Sequence, residues 1–206
     1  MTLYERLLEQ FGYNEPIFLE EIMYESYSKT WIGQKIKVLC EEGSIARFDR
    51  GIYYIPFQTP FGISTLNPRK VIEKRYIRSP EGVYGYYSGQ ILLNQLGIST
   101  QMPNILEIYT NNESARTRDL TIGRQKVRVR KSRVNIDNDN APVLRFLELM
   151  NVISARELDE NAVSIIKRYV LSNNIRQKDI TLYAPKYPDK VMRNLIESEL
   201  IYHVSR

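Results

Sequence analysis

Two groups of side chains in this sequence suit chemistry beyond packing. Between Arg116 and Arg133 the chain sets eight basic residues against one acid, Asp119. Lys126, Arg128 and Arg130 alternate along a strand-like run and so share one face. Lys131 and Arg133 follow past a bend, and Arg116, Arg118 and Arg124 sit on the neighbouring hairpin. Such a face suits a phosphate backbone or an acidic protein partner, and equally an exposed sheet kept soluble by its cations. The second group is Lys29, Thr30, Trp31, Gln34, Lys35 and Lys37 on one helix, with Arg47 and Arg50 on the hairpin after it. Lys reaches phosphates or guanine edges, Gln bonds adenine through two hydrogen bonds, and Thr touches a thymine methyl or a phosphate. The same pattern fits a solvated amphipathic face, with Trp31 as a core anchor.

Catalysis finds little support. The 206 residues include one His, at position 203, and one Cys. That removes the usual general base, a disulfide framework and any Cys-rich zinc site. Glu157, Asp159 and Glu160 lie too close together for a separated acid–base pair and read as a capped first helical turn. Asp137 and Asp139 resemble half a calcium loop without its Gly and distal Glu. No phosphate-cradling glycine loop occurs, and Ser88 lacks the glycine spacing of a nucleophile elbow. The expectation is a protein that is not an enzyme and needs no cofactor or metal. Tyr84, Tyr86 and Tyr87 read as packing residues, although tyrosine rings also stack on bases.

The elements that must position these groups follow from periodicity. Leu3, Leu7 and Leu8 predict a helix over 2–11, ended by Gly12. Glu15-Pro16 and the apolar Ile17, Phe18, Ile22 and Met23 predict a second helix to about Tyr24. Residues 25–29 read as a turn. A third helix, capped by Ser28 or Thr30, turns Ile32, Ile36, Leu39 and Cys40 inward. Asp49-Arg50-Gly51 then joins two short β-prone runs into a hairpin. Helix, helix, turn, helix, hairpin is the layout of a winged helix-turn-helix, whose third helix enters the major groove. Helices are also expected near 67–76 and 90–96, the latter capped by Ser88. Strands are expected over 106–110, 119–122 and 125–136. In the last, Val127 and Val129 differ in parity from Val134 and Ile136, which implies a bulge or bend near Lys131-Ser132. Helices fill the rest, from Ala141 onward.

The predicted fold is α+β: a winged helix-turn-helix over 1–57, a linker over 58–66, and an α+β domain with a small antiparallel sheet and a helical C-terminal part over 67–206. The net charge of +5 is uneven. Residues 1–60 hold 6 basic and 9 acidic side chains, whereas residues 113–140 hold 8 and 4. Most acids of the first region fall before the third helix, away from the face that carries Lys35. No apolar run approaches membrane-spanning length and the start lacks a signal-peptide layout, so a soluble cytoplasmic protein is expected.

Leu39, Gly43, Ile45, Arg47 and Gly51-Ile52-Tyr53-Tyr54-Ile55-Pro56 resemble the wing of AbiEi-type antitoxins and their relatives, which include a large bacterial family of uncharacterised domains. The segment from Tyr87 to Pro103, with Leu96-Gly97-Ile98-Ser99-Thr100-Gln101-Met102-Pro103, resembles that family's helix and turn. Asp179 to Leu195, with Tyr183-Ala184 and Tyr187-Pro188, resembles its C-terminal helices. The resemblance implies an antitoxin of a bacterial type IV toxin–antitoxin system. Its winged helix would repress its own operon by binding double-stranded DNA at inverted repeats. Its C-terminal domain would counter a nucleotidyltransferase-like toxin without needing a stable complex. Many relatives have an Ala-rich recognition helix where this chain has Thr30-Trp31-Ile32-Gly33-Gln34-Lys35-Ile36-Lys37, so the operator does not carry over. The alternative is a stand-alone regulator or a protein-interaction module with no toxin. An inverted-repeat site could be filled by a dimer or by two monomers.

Overall fold

The computed structural model describes residues 1–24, 27–154 and 158–204. The chain is α+β and divides into two compact units. The first comprises residues 1–74 with 122–124; the second comprises 75–121 with 125–206.

The first unit begins with α1 (Leu3–Phe11), whose start carries a capping box. Thr2 Oγ1 accepts from the Glu5 amide at 3.2 Å, and Glu5 Oε2 accepts from the Thr2 amide at 2.7 Å. These bonds satisfy two amides that the helix start would otherwise leave open. The second helix expected over 17–24 does not form. Ile17–Phe18 is a two-residue strand, β1, and Leu19–Glu21 is a single 3₁₀ turn. A short apolar run does not distinguish helix from strand, and here pairing decided. β1 joins an antiparallel ladder in which Ile17 faces Tyr53 and Phe18 faces Ile52. Glu25 and Ser26, within the expected turn, lie outside the described residues. α2 (Lys29–Glu41) is the expected third helix, capped by Ser28 Oγ on the Trp31 amide at 3.2 Å. β2 (Ala46–Asp49) and β3 (Ile52–Tyr54) form the expected hairpin, and the sheet order is β1-β3-β2. Gly51 sits at φ 73° in the turn, where any other residue would be strained. Leu7, Ile17, Ile32, Ile36, Ile45 and Ile55 form the core under α1, α2 and this sheet.

The stretch expected as a linker holds its own hairpin, β4 (Gln58–Thr59) and β5 (Gly62–Ile63). Ser64 secures it: its hydroxyl accepts from the Phe57 amide and donates to Asn14 Oδ1, each at 2.9 Å. α3 (Pro68–Tyr76) follows, and Lys70 and Lys74 tie it to Glu15 and Glu21.

In the second unit, β6 (Arg78–Ser79) and β7 (Gly82–Val83) make a small hairpin, before β8 (Gly85–Ser88) and α4 (Gly89–Gln95). β9 (Ile105–Thr110), β10 (Thr117–Ile122) and β11 (Gln125–Lys131) complete a four-stranded sheet of order β10-β11-β9-β8. The expectation of an antiparallel sheet holds only in part, because β9 and β11 run parallel, Leu106 facing Val127 and Ile108 facing Val129. All four are buried. β11, which buries Val127 and Val129 and carries its cations on the alternate positions, takes an interior place, and the polar β10 takes the edge.

Of the bulge or bend expected near Lys131-Ser132, the structure shows a bend: β11 ends at Lys131 and the chain turns away at 133–134, so the strand does not reach residue 136. After Lys131 the chain leaves the ladder and the Asn111 side chain holds it. Asn111 Oδ1 accepts from Ser132 Oγ and the Ile136 amide at 2.9 Å, and its Nδ2 donates to the Ile136 carbonyl at 2.7 Å. Four α-helices follow, α5 (Ala141–Val152), α6 (Glu160–Ser172), α7 (Gln177–Tyr183) and α8 (Lys190–Glu197), with 3₁₀ turns at Ala184–Lys186 and Leu200–His203. α5 is buried almost all round and forms the centre of this unit's core, with Phe146, Leu147, Leu149 and Met150 fully enclosed. Among the described residues no helix is long and apolar enough to cross a membrane.

Candidate functional site

The α2 group comes together as a surface. Ile32 and Ile36 turn inward, so the helical period places Lys29, Thr30, Gln34, Lys35 and Lys37 outward, and all five are exposed. Lys37 lies 3.9 Å from Glu41, one turn on, in a solvated pair. Trp31 is half-buried and stacks on Tyr27, with ring centroids 4.0 Å apart and planes 11° from parallel. The Lys35 ammonium lies 5.8 Å from the centre of the Trp31 ring. On the other side, the Arg6 guanidinium lies 5.7 Å from the Tyr27 ring and 5.3 Å from the Tyr24 ring. Trp31 is therefore part of a cation-flanked aromatic stack beside the exposed face. Tyr27 and Arg6 escaped the sequence reading; the i, i+4 spacing of Tyr27 and Trp31 was its only signal. Arg47 and Arg50 are both exposed. Arg47 Nε donates to the Asp49 carbonyl at 3.3 Å, and the Arg50 amide donates to Asp49 Oδ1 at 2.7 Å, which shapes the turn. Cys40 is half-buried, and desolvation raises its thiol pKa, which opposes thiolate chemistry.

The basic strand differs. Arg128 grips Asp119 through two bonds, of 2.7 and 2.8 Å. Arg130 pairs with Glu107 at 2.8 Å, Arg118 with Glu113 at 2.7 Å, and Arg133 with Glu148 at 2.8 Å. Four of the eight cations are thus tied to carboxylates. Arg116, Arg124, Lys126 and Lys131 are exposed.

The pairs run inward to a buried cluster. Glu148, on α5, is 2% exposed. It accepts from Arg133 Nη1 and from Ser88 Oγ at 2.7 Å. Ser88 stands at the start of α4 as expected, but its hydroxyl turns to Glu148 and leaves the helix uncapped by a side chain. Arg133 is clamped between the rings of Tyr109 and Tyr187, each centroid 4.4 Å from its guanidinium carbon, and donates to the Tyr109 hydroxyl at 2.9 Å. Tyr187 donates to the Leu144 carbonyl at 3.0 Å, which leaves Tyr86 to donate to Tyr187 at 3.0 Å.

Desolvation works against the Arg133 charge. Glu148 and the surrounding hydroxyls outweigh it and hold the guanidinium pKa above its usual value. Burial, above all, raises the Tyr86 and Tyr187 hydroxyl pKa values. Ser88 beside Glu148 has the residue types of a nucleophile and its base. Here Ser88 is 3% exposed and the carboxylate is already an ion-pair partner, so the cluster suits packing rather than turnover. Glu107, Tyr109, Glu113 and Glu148 were missed in the sequence. Glu148 left a trace, as an acid inside the apolar run Phe146-Leu147-Glu148-Leu149-Met150.

Elsewhere, Asp137 Oδ1 accepts from the amides of Asp139 and Asn140, at 3.0 and 2.8 Å, in a turn before α5. Asp159 caps α6 through the Ala162 amide at 2.7 Å; Glu157 lies outside the described residues. A cleft of about 360 Å³ is lined by Asn140, Pro142, Arg176, Asp179 and Tyr183 among others, with Arg176 turned onto Asp179 at 3.3 Å. Among the described residues, no three His, Cys, Asp or Glu side chains gather as a metal-holding group. Neither protein-family models nor curated proteins give a match to this chain.

Proposed function

We propose that the first unit is a winged helix-turn-helix, and that the chain is a DNA-binding antitoxin that represses its own operon. The observation that carries the DNA-binding half is the exposed face of α2, with Lys29, Thr30, Gln34 and Lys35 outward over the buried Ile32 and Ile36. The β1-β3-β2 order agrees with this reading, because a winged helix brings the strand after its first helix back beside the hairpin. One departure is the helix before α2, reduced here to the turn Leu19–Glu21. Arg47 and Arg50 stand on the wing, where phosphates would pass. The antitoxin half rests on the resemblance of residues 39–56, 87–103 and 179–195 to AbiEi-type antitoxins. It assigns the countering of a nucleotidyltransferase-like toxin to the second unit.

The test is titration of the intact protein with a duplex from upstream of its own gene and with a shuffled duplex. Binding is read by DNA anisotropy and by the fluorescence of Trp31, the chain's single tryptophan. Tighter binding to the upstream duplex and a change in Trp31 emission are expected. Lys35→Ala should cost roughly 1–3 kcal/mol on that duplex if it reads a base, and a similar loss on every duplex if it touches only phosphate. Equal affinity of wild type and variant for all duplexes would refute the assignment. A nucleotidyltransferase-like reading frame beside the gene, toxic alone and harmless with this chain, would support the antitoxin half. A neighbour without toxicity favours the stand-alone regulator or interaction module.

A further inference from the structure

The two edges of the four-stranded sheet are unlike. β8 is buried at all four positions. β10, six residues long, forms the other edge, and Thr117, Arg118, Asp119 and Thr121 on it are exposed. Among the described residues, no backbone hydrogen bond outside the sheet reaches residues 117–121. An edge strand offers half its amides and carbonyls to whatever lies beside it. A polar residue pattern blunts such an edge, as do prolines, bulges and inward charges. β10 contains no proline, and its β-branched Thr117, Thr121 and Ile122 favour extended backbone.

We propose that the β10 edge docks an extended, acidic segment of a protein partner, which adds a fifth strand to the sheet. The sign comes from Arg116, exposed at the start of the edge, and Lys126, exposed on the neighbouring β11; neither is tied to a carboxylate among the described residues. A second copy of β10 would bring the same cations face to face, so self-pairing is disfavoured. Glutamates or aspartates alternating along an incoming strand would meet them, while the backbone ladder supplies affinity. Nucleic acid fits less well. Arg118, Arg128, Arg130 and Arg133 are tied to carboxylates, which halves the charge the region could offer to phosphates.

The test uses the full chain and a synthetic peptide alternating Glu with Thr or Val, with three controls. One peptide is N-methylated at alternate amides, one has Lys in place of Glu, and one probe is a DNA duplex. Amide hydrogen exchange at residues 117–121 is followed by NMR. The expected result is slowed exchange with the Glu peptide at up to about 1 mM, the weak end of specific binding. N-methylation should abolish the effect, and the Lys peptide should give none. Arg116→Glu with Lys126→Glu should weaken binding roughly ten-fold. Arg118→Glu is avoided because it would set a second carboxylate beside the buried Glu113. Several results overturn the proposal. They are unchanged exchange with the Glu peptide, equal binding of the N-methylated form, protection by the duplex but not the peptide, and protection that rises with protein concentration alone.

Discussion

The α2 face and the β11 strand hold comparable numbers of cations, and the structure treats them in opposite ways. No carboxylate lies within ion-pair distance of Lys29, Lys35, Arg47 or Arg50 among the described residues. On and around β11, four of the six arginines are distributed onto Asp119, Glu107, Glu113 and Glu148. The net −3 of residues 1–60 therefore conceals an available positive surface, and the net +4 of residues 113–140 overstates one. Local pairing, not regional charge, sets what a polyanion would meet.

The largest effect that would sharpen this comparison lies where the second region's charges go inside. Arg133→Met leaves Glu148 buried without its ion partner, a situation that typically costs about 3–5 kcal/mol. Adding Glu148→Leu should recover much of the loss, since an apolar pair of similar volume removes the desolvation cost. Denaturant unfolding of the wild type and these two variants checks both statements. If Arg133→Met unfolds like the wild type, the pair is solvated and the contrast with α2 fails.

The tyrosines around Arg133 give a pH signature of the same burial. Tyr86 and Tyr187 have raised hydroxyl pKa values in the folded chain. The folded state therefore holds these protons more tightly than the unfolded state. The associated stability is fully present below the ordinary tyrosine value of about 10 and is lost as pH rises beyond it. Phenolate absorbance should lag for these two residues and then appear together with unfolding. Tyr187→Phe should remove part of the lag.

These buried partners explain which parts of the molecule the sequence could disclose. α1, α2, the 46–54 hairpin and α3 rest on local periodicity, caps and turn glycines, and all are visible as such. The interior place of β11 is not visible, because it depends on a partner strand some twenty residues away. Residues 17–22 are misleading for the same reason, since Ile17 and Phe18 are decided by Ile52 and Tyr53 across the ladder. The exposed α2 face follows directly from the spacing of Ile32 and Ile36. The neutralisation of the β11 arginines could not follow from spacing, since Glu107, Glu113 and Glu148 reach them only through tertiary structure.

The smallest expected effect tests the comparison at its exposed end. Hydrogen bonds from Arg128 hold the Asp119 carboxyl below the usual carboxylate range. A depressed folded value means the contribution is present above the unfolded value and fades as pH falls through the folded one. The pair is exposed, so Asp119→Asn should move the melting midpoint little at neutral pH, and the two proteins should converge in acid. Its consequence for binding is more telling. The variant releases Arg128 without adding any side chain at the surface. If the strand lies in a DNA footprint, the slope of affinity against salt should steepen by about one counterion. If only α2 and the 46–54 hairpin meet DNA, the slope stays as it was, while Lys35→Ala still flattens it when Lys35 touches phosphate. An equal response to both variants would mean that the two basic regions, despite their opposite pairing, serve one surface.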